Sequence, residues 1–304
     1  MTLSKSDYHP VTIHDKPIFD QILGKYQQVH SECSFITMIS WQNYARYSFA
    51  IKNNRLLISC TVDGETTYRA PIGEHDQDLF EEVLALAKED GGKMAMDFYD
   101  EADIWYMKNA HPKTPVYNIR GFSEYYYRTC ELAELRGKKY LNIRGQINRF
   151  NAEYTYTTEQ ITESIIPEVR RMIEEWSVSK HCEANRIMKE EVNAVHFVLD
   201  HWKELGCEGL AVRITPEGTI GAIAIWEELN ESTALVHFEK GFVRYKGIYK
   251  IINQETAKAL QDRYTWINRE SDMDVPGLRE AKLRYHPDHC AKAYYILSRE
   301  IQER

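Results

Sequence analysis

Apolar residues recur along the first half of the chain with two different spacings. Spacings of three and four residues predict helices, and strict alternation predicts strands. The helical spacing covers residues 17–29, 79–87 and 100–107. The alternating stretches are a meander over residues 48–73, with turns at Asn53-Asn54 and Asp63-Gly64, a strand over 93–98 and an aromatic stretch over 117–127.

The second half repeats this order of elements. Helices are predicted over residues 161–176, 189–205, 248–260 and after Pro276, and strands over 209–215, 219–229, 233–243 and 264–267, before a last apolar run at 291–297. Pro167 predicts either a kink in the first of these helices or a helix that starts there. The element order predicts an α+β fold with a mixed sheet in each half. The similarity lies in element order, without a repeat at the level of residues.

A basic stretch, KKYLNIRGQINRF, lies between the halves at residues 138–150. Its apolar positions predict one helical face. It adds four cations and no acidic residue: Lys138, Lys139, Arg144 and Arg149. Two interpretations remain open, a linker helix with a solvated face and a basic strip that contacts nucleic-acid phosphates.

Composition narrows the class of protein. The net charge of −8 over 304 residues argues against a general nucleic-acid binder, and we expect no DNA partner. No apolar run is long enough to predict a membrane span, and the N-terminus lacks the apolar core of a signal peptide. The six scattered cysteines predict free thiols in a reducing compartment. Cytoplasm is therefore the expected location.

Common catalytic signatures are missing from the sequence. It has no phosphate-binding loop, dinucleotide fingerprint, zinc-protease motif or nucleophile elbow. The His/Cys groups at residues 30–33 and 286–290 hold too few ligands for a closed zinc site, so we expect no metal. An acidic run at residues 97–103 is either a carboxylate cluster or, more typically, the solvated start of a helix.

The stretch VHFEKGFVRYKGIYK, residues 236–250, predicts an anion site. A strand ends there, and a glycine precedes a helix whose free N–H groups and flanking cations favour phosphate. The residues concerned are Lys240, Arg244, Lys246, Gly247 and Lys250. The alternative is that Gly247 is only a helix cap.

A second polar stretch, INRESDMDVPGLREAKLRYHP, occupies residues 267–287. It places ionisable side chains between a strand and a helix: Asn268, Arg269, Glu270, Asp272 and, within the helix, Lys282. With Glu239 at the end of the neighbouring strand, they predict the polar wall of a cleft. The alternative is that they pair with one another, with Asp274 as a helix N-cap. His237 is interpreted as a packed core histidine.

Three segments carry a resemblance to a known family: LRGKKYLNIRGQINRF, YKGIYKIINQETAKAL and the polar stretch at residues 267–287. They resemble the phosphatidylglycerol lysyltransferase C-terminal domain family, which has the GNAT acyltransferase fold and is related to the Fem-type aminoacyltransferases. The resemblance implies two tandem GNAT-like lobes, each a mixed, mostly antiparallel sheet flanked by helices. By this resemblance we expect residues 1–134 to form a degenerate lobe, residues 135–150 the basic linker helix, and residues 151–304 the lobe with the active site.

The resemblance implies transfer of an acyl or aminoacyl group to an amine or hydroxyl of a small molecule, peptide or lipid headgroup. The resemblance implies a donor that is either aminoacyl-tRNA or acyl-CoA, and no tightly bound cofactor. Glu239 is expected to act as base or to position an ammonium, and Arg269 or Lys282 to bind phosphate, carboxylate or the oxyanion. Tyr249 stands two places after Gly247, where the fold usually has a small residue.

Two other functions remain open. A non-catalytic module would keep the fold and bind a small anionic ligand in the cleft. A plain RNA-binding protein is disfavoured by the net charge of −8.

Overall fold

The computed structural model describes residues 3–90 and 92–302. This part of the chain forms twelve α-helices, joined in places by short 3₁₀ turns. The helices are α1 (Lys16–Lys25), α2 (Phe35–Ser40), α3 (Gln42–Ala45), α4 (Gln77–Asp90), α5 (Glu101–Ala110), α6 (Thr129–Glu134), α7 (Leu141–Glu153), α8 (Ile166–Ser179), α9 (Arg186–Asp200), α10 (Trp202–Leu205), α11 (Ile248–Leu260) and α12 (Pro276–Leu283).

The same residues form fourteen strands in two sheets of seven. The strands are β1 (His9–Pro10), β2 (Ser48–Lys52), β3 (Arg55–Val62), β4 (Glu65–Arg69), β5 (Met94–Phe98), β6 (Tyr117–Asn118), β7 (Glu124–Arg128), β8 (Thr155–Gln160), β9 (Glu208–Thr215), β10 (Thr219–Asn230), β11 (Thr233–Gly241), β12 (Trp266–Asn268), β13 (His289–Ala291) and β14 (Tyr294–Leu297). The predicted α+β class with mixed sheets is confirmed.

Contacts divide the chain into two compact units. The first unit combines the residues up to Ser123 with those from Ala291 onward, and the second unit is Glu124–Cys290. These bounds differ from the expected lobes at residues 1–134 and 151–304. The reason is strand pairing, because β7 pairs with β12 in the second sheet and β14 pairs with β5 and β6 in the first. The helix α7, expected as a linker, lies within the second unit.

The first sheet has the order β1-β2-β3-β4-β5-β14-β6. Its core includes Leu57, Met96 and Ile296 from the strands, packed with Phe80 and Val83 from α4. The pair β4/β5 is parallel, whereas the other described pairings are antiparallel. The predicted meander and both of its turns are confirmed. The aromatic stretch 117–127 is instead two strands, one in each sheet.

The second sheet has the order β13-β7-β12-β11-β10-β9-β8. The helix predicted over residues 248–260 is α11, whose buried residues include Ile248, Ile252 and Leu260. Pro167 is the second residue of α8, so the helix begins there and is not kinked. Within the described residues, no helix combines the length and apolar character needed to cross a bilayer.

An open strand edge is the feature that positions the site. The strand β11 runs parallel to β12, but only its first residues pair with it, ending at Leu235 opposite Asn268. Because β11 continues to Gly241 while β12 stops, the later half of β11 has a neighbour on its β10 side alone among the described strands. Such a gap beyond the carboxyl end of a strand is a common place for ligands.

Candidate active site

Glu239 and Arg269 bridge the gap between the two diverging strands. Glu239 lies on the open half of β11, and Arg269 follows the last residue of β12. Nε of Arg269 donates to Oε2 of Glu239 at 3.0 Å, and Nη2 donates to the same oxygen. The other oxygen of Glu239 accepts from Asn253 Nδ2 of α11 at 3.2 Å. The two charged side chains are only 15 % and 13 % exposed, so water screens the pair weakly.

The Arg269 guanidinium lies between two tyrosine rings. Its Cζ is 5.0 Å from the ring centroid of Tyr285 and 5.8 Å from that of Tyr127, within the range of cation–π attraction. Burial disfavours the charge, but Glu239 and the rings raise the pKa of Arg269. Nη1 of Arg269 and the Tyr285 hydroxyl are buried and have no hydrogen-bond partner among the described residues. Since unpaired buried donors are costly, these two groups suit a ligand oxygen.

Lys250 belongs to the same centre. It lies in the first turn of α11, and its Nζ is 4.8 Å from the Tyr285 ring centroid. Burial lowers its pKa to about 8, and the neighbouring Arg269 and Arg284 act in the same direction. A lysine with this pKa is partly neutral near neutral pH, so it can accept a proton.

Lys282 supports the loop after β12. Its Nζ, from α12, donates to the carbonyl oxygen of Arg269 and, at 3.3 Å, to that of Glu270. Burial and then the charge of Arg269 lower its pKa to about 8. Glu270 has a left-handed backbone with φ of 57°, which a non-glycine residue adopts only when its surroundings hold it. Lys282 therefore holds the backbone of the loop after β12.

His237 is buried as expected, and its ring lies between two carboxylates. Its Nε2 is 2.8 Å from Glu227 Oε1, and its Nδ1 is 3.1 Å from Glu270 Oε1. We name this group the Glu227–His237–Glu270 triad. Sequence reasoning missed it because Glu227 lies ten residues earlier on the neighbouring strand β10.

Asp272 and Asn268 are buried and bond to residues of the loop and of β7. The Asp272 carboxylate, 0 % exposed, accepts from the Tyr125 hydroxyl at 2.5 Å and from two nitrogens of Arg279 at 2.8 Å. Burial opposes ionisation, yet these bonds hold the pKa of Asp272 down to about 2. Asn268 links Glu124 Oε2, at 2.6 Å, to the Glu270 amide at 2.8 Å. Both expected catalytic residues therefore support the loop.

The expected N-cap at Asp274 is wrong. The N-cap of α12 is Val275, which makes no side-chain cap. The Asp274 carboxylate instead pairs with Arg279 at 2.5 Å.

The other three cations of the predicted anion site, Lys240, Arg244 and Lys246, do not converge on one point. Nζ of Lys240 pairs with Glu191 of α9 at 2.5 Å and lies over the Trp176 ring. The Arg244 guanidinium is 4.2 Å from the Phe242 ring centroid, and Lys246 is exposed.

Gly247 is the N-cap of α11, with φ of 101°. A Cβ atom at this position would lie 3.2 Å from the carbonyl oxygen of Gln146. The bare glycine therefore accommodates α7, the helix that carries Gln146.

The basic residues around α7 serve partly in local structure. Lys139 Nζ pairs with Glu131 at 2.6 Å, and Nη1 of Arg144 holds the turn before the helix through the carbonyl oxygens of residues 135 and 137. Lys138 and Arg149 are exposed, although Nε of Arg149 donates to its own helix at Gly145. Two of the four predicted cations thus remain for an external partner.

The first unit holds a charged centre that the sequence did not predict. Arg69 and Asp97, opposite each other at the ends of β4 and β5, are 2 % and 5 % exposed. Arg69 Nη2 pairs with Glu32 at 2.5 Å, and the Tyr99 hydroxyl donates to Asp97 at 2.9 Å. Burial raises the pKa of Asp97 to about 6. Asp97 is therefore a core residue, unlike Asp100, which caps α5 as a solvated helix start.

Among the described residues, no group of three or more His, Cys, Asp and Glu side chains is arranged to hold an ion.

A sequence model of a protein family matches most of this chain. The model described as phosphatidylglycerol lysyltransferase, C-terminal, matches residues 24–297. The chain belongs to the phosphatidylglycerol lysyltransferase C-terminal family. The match spans both units, so the resemblance carried by the three sequence segments is confirmed. A search of curated proteins finds no match.

Solved structures support the family's fold. A conserved protein of unknown function from Bacteroides thetaiotaomicron is 25 % identical, with a TM-score of 0.87 over 95 % of this chain and 98 % of that one. The L-PGS of Bacillus licheniformis gives 0.61 at 17 % identity, over 95 % and 98 % of the two chains. FemX gives 0.55 at 10 % identity, over 96 % and 98 %. These structures support a tandem GNAT-like fold, and membership of the family supports a transferase of the acyl or aminoacyl type.

Proposed function

We propose that the second unit transfers an aminoacyl group from aminoacyl-tRNA to a hydroxyl or amine acceptor. The observation that carries the proposal is the group of donors at the open edge of β11. The Arg269 guanidinium and the Lys250 ammonium both lie over the ring of Tyr285, and Arg269 Nη1 and the Tyr285 hydroxyl have no partner in the described chain. Membership of the lysyltransferase family supports the same reaction class.

Acyl transfer requires a proton acceptor and stabilisation of a tetrahedral oxyanion. Lys250, whose pKa is about 8, suits the first role. Arg269 and Tyr285 suit the second, because their buried donors face no competing acceptor in the described residues. Glu239, first considered as the base, is engaged by Arg269 and Asn253, so it orients the guanidinium.

The residues of the site account for the proton, the oxyanion and the leaving group of the proposed reaction. The acceptor oxygen or nitrogen attacks the donor carbonyl carbon and loses its proton to Lys250. The carbonyl oxygen becomes an oxyanion that accepts from Arg269 and Tyr285. The ester bond to the ribose oxygen of the tRNA then breaks, and the leaving oxygen takes the proton back from Lys250. No further reactant is needed.

Two observations favour tRNA over CoA as donor. A CoA pyrophosphate in this fold needs the N-terminus of the helix after β11 to be accessible. Here the carbonyl oxygen of Gln146 lies against Gly247, and the Tyr249 hydroxyl accepts from Trp176 Nε1 at 3.3 Å. The exposed Lys138 and Arg149 supply cations for a tRNA backbone.

For the acceptor, the family description supports the hydroxyl of phosphatidylglycerol.

A transfer assay tests the proposal. The full chain is incubated with bulk tRNA charged with radiolabelled amino acids and with phosphatidylglycerol vesicles, and label in the lipid extract is counted. Phosphatidylcholine vesicles and soluble amines replace the acceptor in parallel reactions, and labelled acetyl-CoA replaces the donor. We expect label to move from tRNA to phosphatidylglycerol or to a soluble amine.

Matched lysine variants tie the activity to the site. Lys250→Met removes the proton acceptor, and we expect at least a hundredfold loss of transfer. Lys246→Met changes an exposed lysine of the preceding loop and should leave the rate unchanged. Transfer from acetyl-CoA alone would contradict the donor assignment. Specific binding of a small anion without any transfer would favour the non-catalytic module.

A further inference from the structure

Asn253 is a buried polar residue whose side chain has a hydrogen-bond partner at one end only. It lies in α11 and is 3 % exposed. Its Nδ2 donates to Oε1 of Glu239 at 3.2 Å, and this orientation of the amide follows because a carboxylate oxygen can only accept. The other end of the amide, Oδ1, is buried and accepts no hydrogen bond from the described residues. Because a buried acceptor without a partner is costly, Oδ1 suits a ligand that donates a hydrogen bond.

Contacts connect Asn253 to the proposed transfer centre in a closed circuit. Glu239 accepts from Asn253 and from Arg269, and the Arg269 guanidinium lies over the Tyr285 ring. The Lys250 ammonium lies over the same ring, 4.8 Å from its centroid. Lys250 precedes Asn253 by three residues, so both side chains are on one face of α11. The five residues therefore surround a common space.

The polar groups of this circuit have different tasks in the proposed step. Arg269 Nη1 and the Tyr285 hydroxyl donate to the oxyanion, and Lys250 takes the proton. Asn253 Oδ1 can only accept a hydrogen bond, and an amide oxygen is too weak a base to remove the proton. It therefore suits a hydrogen that stays on the attacking atom throughout the reaction.

The two classes of acceptor differ in the number of hydrogens on the attacking atom. A neutral primary amine carries two hydrogens, so one can pass to Lys250 while the other stays bonded to Asn253 Oδ1. A hydroxyl carries a single hydrogen, which passes to Lys250 and leaves Asn253 Oδ1 unpaired. A site that bonds a substrate hydrogen discriminates strongly against an analogue that lacks it.

The charges at the centre favour the neutral form of a bound amine. Burial, and then the cations Arg269 and Arg284, lower the pKa of Lys250 to about 8, although Glu239 acts in the opposite direction. An ammonium in the same space faces the same cations, so its pKa is lowered too. The neutral amine has a free lone pair and is the nucleophilic form.

We propose that the acceptor is a primary amine and that Asn253, oriented by Glu239, selects it over a hydroxyl. The nitrogen attacks the donor carbonyl carbon with its lone pair, one hydrogen moves to Lys250, and Asn253 Oδ1 holds the other. The ester bond to the ribose oxygen breaks, that oxygen takes the proton from Lys250, and the product is an amide with one N–H group. This inference rests on the proposed aminoacyl transfer, and it departs from the hydroxyl that the family description supports.

Product analogues test the role of Asn253 without any transfer chemistry. The full chain is titrated calorimetrically at pH 7 with L-alanine ethylamide and with L-alanine ethyl ester, in which an oxygen replaces the N–H group. We expect the wild type to bind the amide at least fivefold more tightly. Asn253→Leu, which removes both polar atoms at similar volume, should reduce that preference to less than twofold. Gln254→Leu removes the neighbouring amide of α11, which donates to the carbonyl oxygen of Ala133, and should keep the preference.

The wild-type comparison can overturn the proposal without any variant. Equal binding of the amide and the ester, or no detectable binding of either, removes the acceptor role of Oδ1. An unchanged preference in an Asn253→Leu protein that is folded by thermal unfolding has the same meaning. Asn253→Ala, with its higher helix propensity, replaces the leucine variant if that protein does not fold.

Transfer to two matched acceptors gives a readout that a purely structural role would not change. Charged tRNA is the donor, and the acceptors are glycerol and serinol, which is glycerol with one hydroxyl replaced by an amine. We expect the wild type to favour serinol at least tenfold. Asn253→Leu should lower transfer to serinol at least tenfold and change transfer to glycerol less than threefold. Equal losses for the two acceptors would mean that Asn253 only supports Glu239, and they would overturn its selective role.

The two proposals fail in different ways. Transfer from charged tRNA that favours glycerol, or that uses glycerol and serinol equally, would retain the proposed function and reject the amine acceptor. A preference for the amide that Asn253→Leu removes, without transfer from charged tRNA, would retain the binding role of Asn253 and reject the catalytic function.

Discussion

Side chains of the loop after β12 divide between those that stabilise the loop itself and those that contact residues of β11. Asp272 accepts from Tyr125, which is 147 positions away in sequence, so its burial depends on the tertiary fold. The sequence predicted that Glu239, Arg269 and Glu270 lie at neighbouring strand ends. It could not show that Asp272, in the same polar stretch, is instead buried within the loop. The sequence placed Lys250 in an anion site and did not predict its lowered pKa, because that shift comes from burial beside Arg269.

Asp272 is expected to contribute strongly to stability. Asp272→Asn leaves Arg279 without its buried partner, and we expect the free energy of unfolding at pH 7 to fall by about 2–4 kcal/mol. Asp274→Asn is the matched control, since that carboxylate pairs with the same Arg279 but is 67 % exposed. Its effect should stay below about 1 kcal/mol. Urea unfolding of the three proteins measures both differences.

The pH dependence of this contribution has a defined sign. The pKa of Asp272 is about 2 in the folded chain, below its ordinary value. Its stabilisation is therefore complete above the unfolded pKa, near 4, and is lost as the pH falls towards 2. The difference in unfolding free energy between wild type and Asp272→Asn should shrink over this interval. A difference that stays constant from pH 5 to 2.5 would contradict the assigned role.

Among the elements, those with regular apolar spacing were predicted well, because that spacing reports which face is buried. The helix α11 and the strands β9 to β11 follow their predicted ranges closely. The partner of a strand is harder to predict. Tyr126 of β7 pairs with Asn268 of β12, and nothing in the alternation of residues 117–127 indicates a partner so distant. A β-bulge at His237 likewise becomes visible only from the register with β10, where Ile225 is opposite Phe238 but Trp226 is opposite Val236.

Two glycines at helix starts are expected to respond oppositely to alanine. Gly247→Ala places a Cβ on a residue with φ of 101° and 3.2 Å from the Gln146 carbonyl oxygen. We expect a loss of about 1–2 kcal/mol in the free energy of unfolding. Gly277→Ala in α12 meets no atom within 4 Å, and it should gain about 0.5–1 kcal/mol from helix propensity. Thermal and urea unfolding give both values. A neutral Gly247→Ala would mean that α7 does not pack tightly there.

In the whole molecule, the two sheets have the same internal order of strands. This explains why the second half of the sequence predicts the same order of elements as the first. Each sheet contains an antiparallel meander followed by a helix and a parallel strand, β2 to β5 in the first unit and β9 to β12 in the second. The sequence predicted this order. It misplaced the bounds, because β7 and β14 complete sheets whose other strands lie far away in sequence. A first lobe that ended at residue 134 would therefore lack β14, and a second lobe that began at residue 151 would lack β7.

The first unit should depend on the last strand of the chain. β14 lies between β5 and β6, with Tyr294 opposite both Phe98 and Asn118, and Ile296 is completely buried in the core. A chain that ends after Lys292 loses β14, so β5 and β6 lose their shared neighbour. We expect fast amide hydrogen exchange in both strands, measured by mass spectrometry. A chain that ends after Leu297 keeps β14 and is the matched control. Equal protection of β5 and β6 in the two truncated chains would show that the first sheet closes without β14.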